Sequence, residues 1–262
     1  MPTVEIDGHR VTYEDVGLGL PVLLLPGLVG SVEWFKYQFT GLSTKYRIIS
    51  CDLREVSRRP DYTMELLVED VARFMAALRL HSAIIGGHSL GGLIAQEFAL
   101  SYPQSTAAVV LASTFHHVPT EYQPRIPEIL APLETPAESP IRRLLGVFSG
   151  KRATDGEELE GMDWLAAHAP HLSRTTISTR LRLATDFDVS GRIGSITVPS
   201  LVLVGGDEDA FLLDSARDLY ESIPDSALEV IEGGDHFSFF TRHDLFNAAL
   251  DDFLASRSAI LA

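Results

Sequence analysis

The chain alternates between short apolar runs and amphipathic stretches over most of its length. "PVLLLPG", "YRIISCD", "SAIIGGH", "AAVVLAST" and "PSLVLVGG" are nearly continuous in apolar residues and bounded by Pro, Gly or polar positions, the pattern of strands buried on both faces. "TVEID" and "RVTYEDVG" near the start and "ALEVIEGG" near the end read as further strands. Helical spacing lies between them. Phe35, Phe39 and Leu42 share one face, and residues 63–80 give the clearest helix: Leu67, Val71, Phe74, Met75 and Leu78 form a stripe, with Glu65, Glu69, Asp70 and Arg73 off it. "LGGLIAQEFALSY", a segment near 212–222 and a final stretch carrying Phe246, Ala249, Leu250 and Phe253 complete the helices. Strand, helix and strand in this order predict a mainly parallel, doubly wound α/β sheet.

The rhythm breaks after Thr114. Residues 115–190 carry Pro119, Pro124, Pro127, Pro132, Pro136 and Pro140, then helical stretches around "MDWLAAHA" and "TISTRLRLA", and no buried strand. They read as an inserted, mostly helical cap that splits one core into 1–114 and 191–262.

Composition narrows the class. With 262 residues, 45% hydrophobic and 22% charged, the chain fits one large globular unit rather than a disordered or fibrous one. Lys and Arg number 21 against 36 Asp and Glu, and the net charge of −15 opposes nucleic-acid binding and adhesion to anionic membranes. No apolar stretch approaches the roughly 20 residues of a membrane span, and "MPTVEIDGHR" lacks a charged-then-apolar leader pattern. The expectation is a cytoplasmic protein with a small-molecule partner, no nucleic acid and no membrane; oligomeric state is left open. Cys51 is the single cysteine, so an internal disulfide and a cysteine-based metal cluster are excluded, and its place at a strand end marks it as core filler.

Gly87-His88-Ser89-Leu90-Gly91 fits G-x-S-x-G. Composition alone gives roughly 0.1 such matches in a chain of this length. The context adds more, because the motif needs a strand before it and a helix after it, and both are read independently here. A serine hydroxyl is a poor nucleophile at neutral pH and requires a base, which in turn requires an orienting acid. Asp207, Glu208 and Asp209 follow "SLVLVGG", and His236 follows "ALEVIEGGD", giving the order serine, acid, histidine. The oxyanion formed on attack needs preorganised N–H donors. The N–H of Leu90 is one, and the loop "PGLVGS" should supply the other. His168 and His171 lack the i, i+4 spacing of a helical metal pair, and His116 and His117 stand where they could line a pocket.

With these positions filled, the chain resembles the α/β-hydrolase superfamily, in particular its small serine esterases, lactonases and related hydrolases, over nearly its whole length and least in 115–190. The resemblance implies an eight-stranded sheet with an inserted helical cap. It places the acid at the end of a G-x-x-D pattern, hence at Asp209 in "GDED", with Asp207 and Glu208 as turn acids facing water. The family's other acid position, after the strand preceding the cap, holds "AST" and no carboxylate. His236 becomes the base, and Leu28, following Gly27, becomes the oxyanion donor beside Leu90. Val29, Trp34 and Phe237 are expected in an apolar pocket. The chain departs from the family in having Pro26-Gly27 for His-Gly, Asp52-Leu53-Arg54-Glu55-Val56-Ser57 for "DxRGxGxS", and Asp235 where a Gly usually precedes the histidine. The implied activity is cleavage of a small carboxylic ester through an acyl-enzyme, with no cofactor and no metal. A lactonase, a carbon–carbon bond hydrolase and a slow-turnover ligand receptor are the alternatives on the same residues.

Overall fold

The structure is a computed structural model that describes residues 1–55, 62–120, 122, 140–149 and 156–257. Eight strands form one sheet: β1 (Thr3–Ile6), β2 (His9–Val16), β3 (Pro21–Leu25), β4 (Arg47–Cys51), β5 (Ala83–His88), β6 (Thr106–Ala112), β7 (Ser200–Gly205) and β8 (Ser226–Ile231). Their order is β1-β2-β4-β3-β5-β6-β7-β8. The hairpin β1–β2 and the β2–β4 pair are antiparallel, and every later pair is parallel. Asp7-Gly8 makes the hairpin, with φ of 48° and 73°, the positive pair that a two-residue turn between right-twisted strands requires. β5 and β7, read as continuous apolar runs, are buried at every residue, whereas the edge strand β8 is partly exposed. Cys51 ends β4 inside the core, where burial pushes its thiol well above the usual range.

The flanking helices are α1 (Lys36–Leu42), α2 (Met64–Ala77), α3 (Leu90–Ser101), α4 (Pro140–Ser149), α5 (Gly156–Ala167), α6 (Arg174–Thr185), α7 (Ala210–Ser222), α8 (Ser238–Thr241) and α9 (His243–Ser256). α2 begins after Thr63, whose hydroxyl accepts from Leu66 N–H, and it buries Met64, Leu67, Val68, Val71, Phe74 and Met75. Leu78 lies one residue past its end and is half-buried. α2 packs on α3, and α1 packs on α9. Between β6 and β7 lie α4, α5 and α6; among the described residues the segment's sole β contact is an isolated bridge from His117 to Asp188. Pro124, Pro127, Pro132 and Pro136 of the expected cap lie outside the described residues. No helix among the described residues is long and apolar enough to cross a membrane.

Phe74 joins α2 to the sheet, 1% exposed and edge-on to Tyr13 with ring centroids 5.6 Å apart. Phe74→Ala is expected to cost about 3–5 kcal/mol of stability, through lost transfer energy and the cavity left behind. Urea unfolding followed by circular dichroism measures it.

Candidate active site

Ser89 stands between β5 and α3 with φ 54° and ψ −117°. For a residue with a Cβ this left-handed region costs on the order of 1–3 kcal/mol and persists only where the surroundings over-determine it. Here they do. Ser89 N–H donates to Ala112 O (2.9 Å), and its own carbonyl accepts from the Thr114 hydroxyl (2.9 Å) and Gly92 N–H (2.9 Å). The glycines around it are close approaches. A Cβ on Gly91 would lie 2.1 Å from Leu25 O, and one on Gly87 would lie 2.1 Å from the Gly91 backbone. The first turn of α3 therefore sits directly on β3 and β5, and Ser89 is half-buried among fully buried neighbours.

His236 lies after β8, its side chain 4% exposed. Its Nδ1 is 3.1 Å from Glu208 Oε2. A carboxylate only accepts, so this contact puts the proton on Nδ1 and leaves the lone pair on Nε2. Glu208 is itself buried, its side chain 1% exposed, with Oε1 accepting from the Ser113 hydroxyl and from Gly205 N–H (3.0 Å). A buried carboxylate is tolerable when its oxygens are satisfied in this way. The acid facing His236 is thus Glu208, not Asp209. Asp209 remains exposed as the N-cap of α7, its Oδ1 accepting from Leu212 N–H (3.1 Å). The turn explains the shift: β7 ends at Gly205, Asp207 N–H donates to Gly234 O (2.9 Å), and the longer glutamate side chain then runs inward one residue before the N-cap of α7. Asp207 is an exposed residue of the same turn.

A cavity of about 150 Å³ is lined by Ser89, His236, Leu28, Leu90 and Asp209. Leu90 is the first residue of α3, where helical geometry leaves the N–H without an intrahelical acceptor. Leu28 lies in the turn after β3, in which Gly30 N–H donates to Gly27 O (3.2 Å). The other walls are apolar apart from Thr185 on α6: Phe115, Val118 and Tyr122 after β6, Val147 and Phe148 on α4, Leu181 and Ala184 on α6, Phe211 and Leu212 on α7. The expected lining residues Val29, Trp34 and Phe237 are not among them. They are 1–2% exposed and belong to the core, with Trp34 and Phe237 edge-on at 6.0 Å and Trp34 Nε1 donating to Leu165 O (3.1 Å). Val29 and Phe237 directly follow Leu28 and His236 in the chain, yet their side chains, like that of Trp34, lie in the core. Phe115 and Val118 line the cavity where His116 and His117 were candidates.

A family model described as the alpha/beta hydrolase fold matches residues 21–243. The chain belongs to the α/β-hydrolase fold family. Over 96% of this chain and 93% of the relative, it is 27% identical to a 2-hydroxy-6-oxo-6-phenylhexa-2,4-dienoate hydrolase of Burkholderia cepacia. In three dimensions it is similar to an enol-lactonase from Burkholderia xenovorans LB400 (TM-score 0.81, 23% identity, 97% of this chain and 100% of that one). A thermophilic esterase from Thermogutta terrifontis is comparably similar (TM-score 0.82, 23% identity, 97% and 96%).

In this α/β-hydrolase the structure also assigns residues that sequence reasoning passed over. Ser113, at φ 49° after β6, holds Glu208 from the place where the family's other acid would stand. His88 is fully buried, and its Nε2–H donates to the His236 carbonyl (2.8 Å). Burial, with the His236 ring beside it, holds its pKa well below the usual histidine range and keeps the ring neutral. Asp235, the departure from Gly, accepts from Phe237 N–H (2.9 Å) and the Thr241 hydroxyl (3.0 Å), and so ties the turn after β8 to the end of α8. One signal for Glu208 was present: the doubled Gly205-Gly206 lets the glycine-plus-three rule be read at 208 as well as 209. Gly91→Ala is expected to cost about 3 kcal/mol or more by overpacking, whereas Gly146→Ala, whose Cβ would meet nothing within 4 Å among the described residues, should be neutral or gain up to about 1 kcal/mol from helix propensity. Calorimetric unfolding of the two variants makes the comparison.

Proposed function

We propose that this α/β-hydrolase is a serine hydrolase that cleaves a small carboxylic ester through an acyl-enzyme. The observation that carries the reading is the pairing of His236 Nδ1 with buried Glu208 while the same histidine and Ser89 line one cavity. Ser89 Oγ attacks the carbonyl carbon as His236 Nε2 accepts its proton. The N–H groups of Leu28 and Leu90 receive the developing oxyanion, each such donor being worth about 2.7–4 kcal/mol in the transition state. The imidazolium is stabilised by Glu208 and returns the proton to the departing alcohol oxygen; water then repeats the sequence on the acyl-enzyme and frees Ser89. The small, apolar cavity supports a short acyl group and a neutral substrate.

A second reading, hydrolysis of a lactone or of a carbon–carbon bond next to a carbonyl, uses the same residues. It is favoured by the relatives named as an enol-lactonase and as a dienoate hydrolase. A turnover panel of p-nitrophenyl esters of increasing chain length, lactones and a vinylogous diketone separates the two.

Ser89→Ala is expected to lower kcat on p-nitrophenyl butyrate by roughly 10⁴-fold or more while leaving the protein folded; wild-type turnover in that variant would overturn the assignment. Glu208→Gln should lower kcat by on the order of 10³–10⁴-fold, against less than about tenfold for Asp209→Asn. The reverse ranking would return the acid role to Asp209. Steady-state kinetics with a thermal unfolding control on each variant decide between them.

A further inference from the structure

α6 presents two faces with different surroundings. Leu181, Ala184 and Thr185 line the cavity. Thr176 and Arg180, four residues apart and so on one side of the helix, face the loop after β4. The Thr176 and Ser173 hydroxyls donate to Glu55 at the N-terminus of α6, so the glutamate that replaces the family's glycine fastens that loop to the helix. One turn further on, Arg180 is 1% exposed and reaches across both loops: Nη1 donates to Leu28 O (2.9 Å), and Nη2 donates to Leu53 O (2.7 Å) and Arg54 O (2.9 Å). Its Nε–H has no acceptor among the described residues.

Burying a guanidinium against three neutral carbonyls is an expensive way to pack a helix. Burial lowers its pKa to about 10, opposed by the charges of Glu55 and Asp52, so it is cationic at neutral pH. The geometry gives the cost a purpose. The peptide unit that carries Leu28 N–H is held at its carbonyl end by Gly30 N–H on Gly27 O. The next unit, which begins at Leu28 O, is held by Arg180. With both flanking carbonyls fixed, the direction of the N–H between them is set. Asp52 Oδ1, accepting from Val32 N–H (2.9 Å), fastens the far end of the same turn.

We propose that Arg180 is a positioning residue of the oxyanion hole: from α6 its guanidinium clamps the Leu28 carbonyl to the loop after β4 and so aims Leu28 N–H at the cavity. The inference rests on the serine-hydrolase reading above. A planar fork with several donors is needed to serve carbonyls on two loops, which a lysine ammonium on a flexible stem does not reproduce.

The test compares Arg180→Gln and Arg180→Lys with the half-exposed neighbour Arg182→Gln, measuring kcat and KM on p-nitrophenyl butyrate and the affinity for butylboronic acid, whose tetrahedral adduct on Ser89 fills the oxyanion hole. The expected result is a fall in kcat and in boronate affinity of about 10- to 100-fold in both Arg180 variants, with KM within threefold and near-UV circular dichroism unchanged, while Arg182→Gln matches the wild type. If Arg180→Gln does not fold, Arg180→Lys, which retains the charge and the stem, carries the comparison. Wild-type kcat and boronate affinity in a folded Arg180 variant would overturn the clamp, as would a loss confined to KM, which would make Arg180 a substrate-binding group. A wild-type protein that neither turns over the ester nor binds the boronate would instead overturn the serine-hydrolase reading itself.

Discussion

The site depends on one close contact: the first turn of α3 lies on β3 and β5 with no side chain between. Gly91 fits against Leu25 O, and Gly87 against the Gly91 backbone. That contact brings the N-terminus of α3 beside the turn that follows β3, which is why Leu28 and Leu90, far apart in sequence, line one cavity. It also forces Ser89 into its left-handed conformation, since the chain must leave a buried strand and enter a helix within a single residue. The hydrogen bonds from Ser89 N–H to Ala112 O and from Thr114 to Ser89 O then hold the residue against relaxation, so β6 takes part in the geometry as much as β5 does.

Two ionisable side chains are buried in this scaffold, Glu208 and Arg180, and both are satisfied chiefly by the backbone or by hydroxyls. Glu208 takes Gly205 N–H and the Ser113 hydroxyl before it meets His236. Arg180 spends its donors on three carbonyls. In each case the neighbouring loops supply the solvation that water would have given, and in each case removing the side chain would leave polar backbone groups unpartnered. Charge and loop shape are therefore coupled at both ends of the site.

Much of this was legible in the sequence because its periodicities are strong. The strands and α2 follow from apolar runs and a clean stripe, and the serine motif follows from glycines demanded by close approach. The carboxylate that meets His236 stands one position before the expected Asp209. Local spacing cannot distinguish two adjacent carboxylates when a doubled glycine offers two starting points, and the difference is decided by how the turn pairs with Gly234, a tertiary contact. The cavity walls escaped for a similar reason. Val29 and Phe237 adjoin site residues in sequence and Trp34 follows the same loop, but their side chains lie in the core, while the actual walls come from α4, α6, α7 and the residues after β6, whose placement beside Ser89 no local pattern encodes. No local pattern marks Arg180 as buried; its burial is set by the loops it reaches.

His88 gives the arrangement a fixed spacing. Its ring touches the base side of the site through the His236 carbonyl, and a Cβ on Gly27 would come within 2.9 Å of its Nδ1. One neutral, rigid imidazole thus acts as a gauge block between two segments some two hundred residues apart in the chain. Its thickness sets how far the base stands from the loop that bears Leu28. Moving this site into another scaffold would mean carrying the gauge block along with Ser89, Glu208 and His236, because a chain that copied only those three residues would have nothing to measure the gap between them.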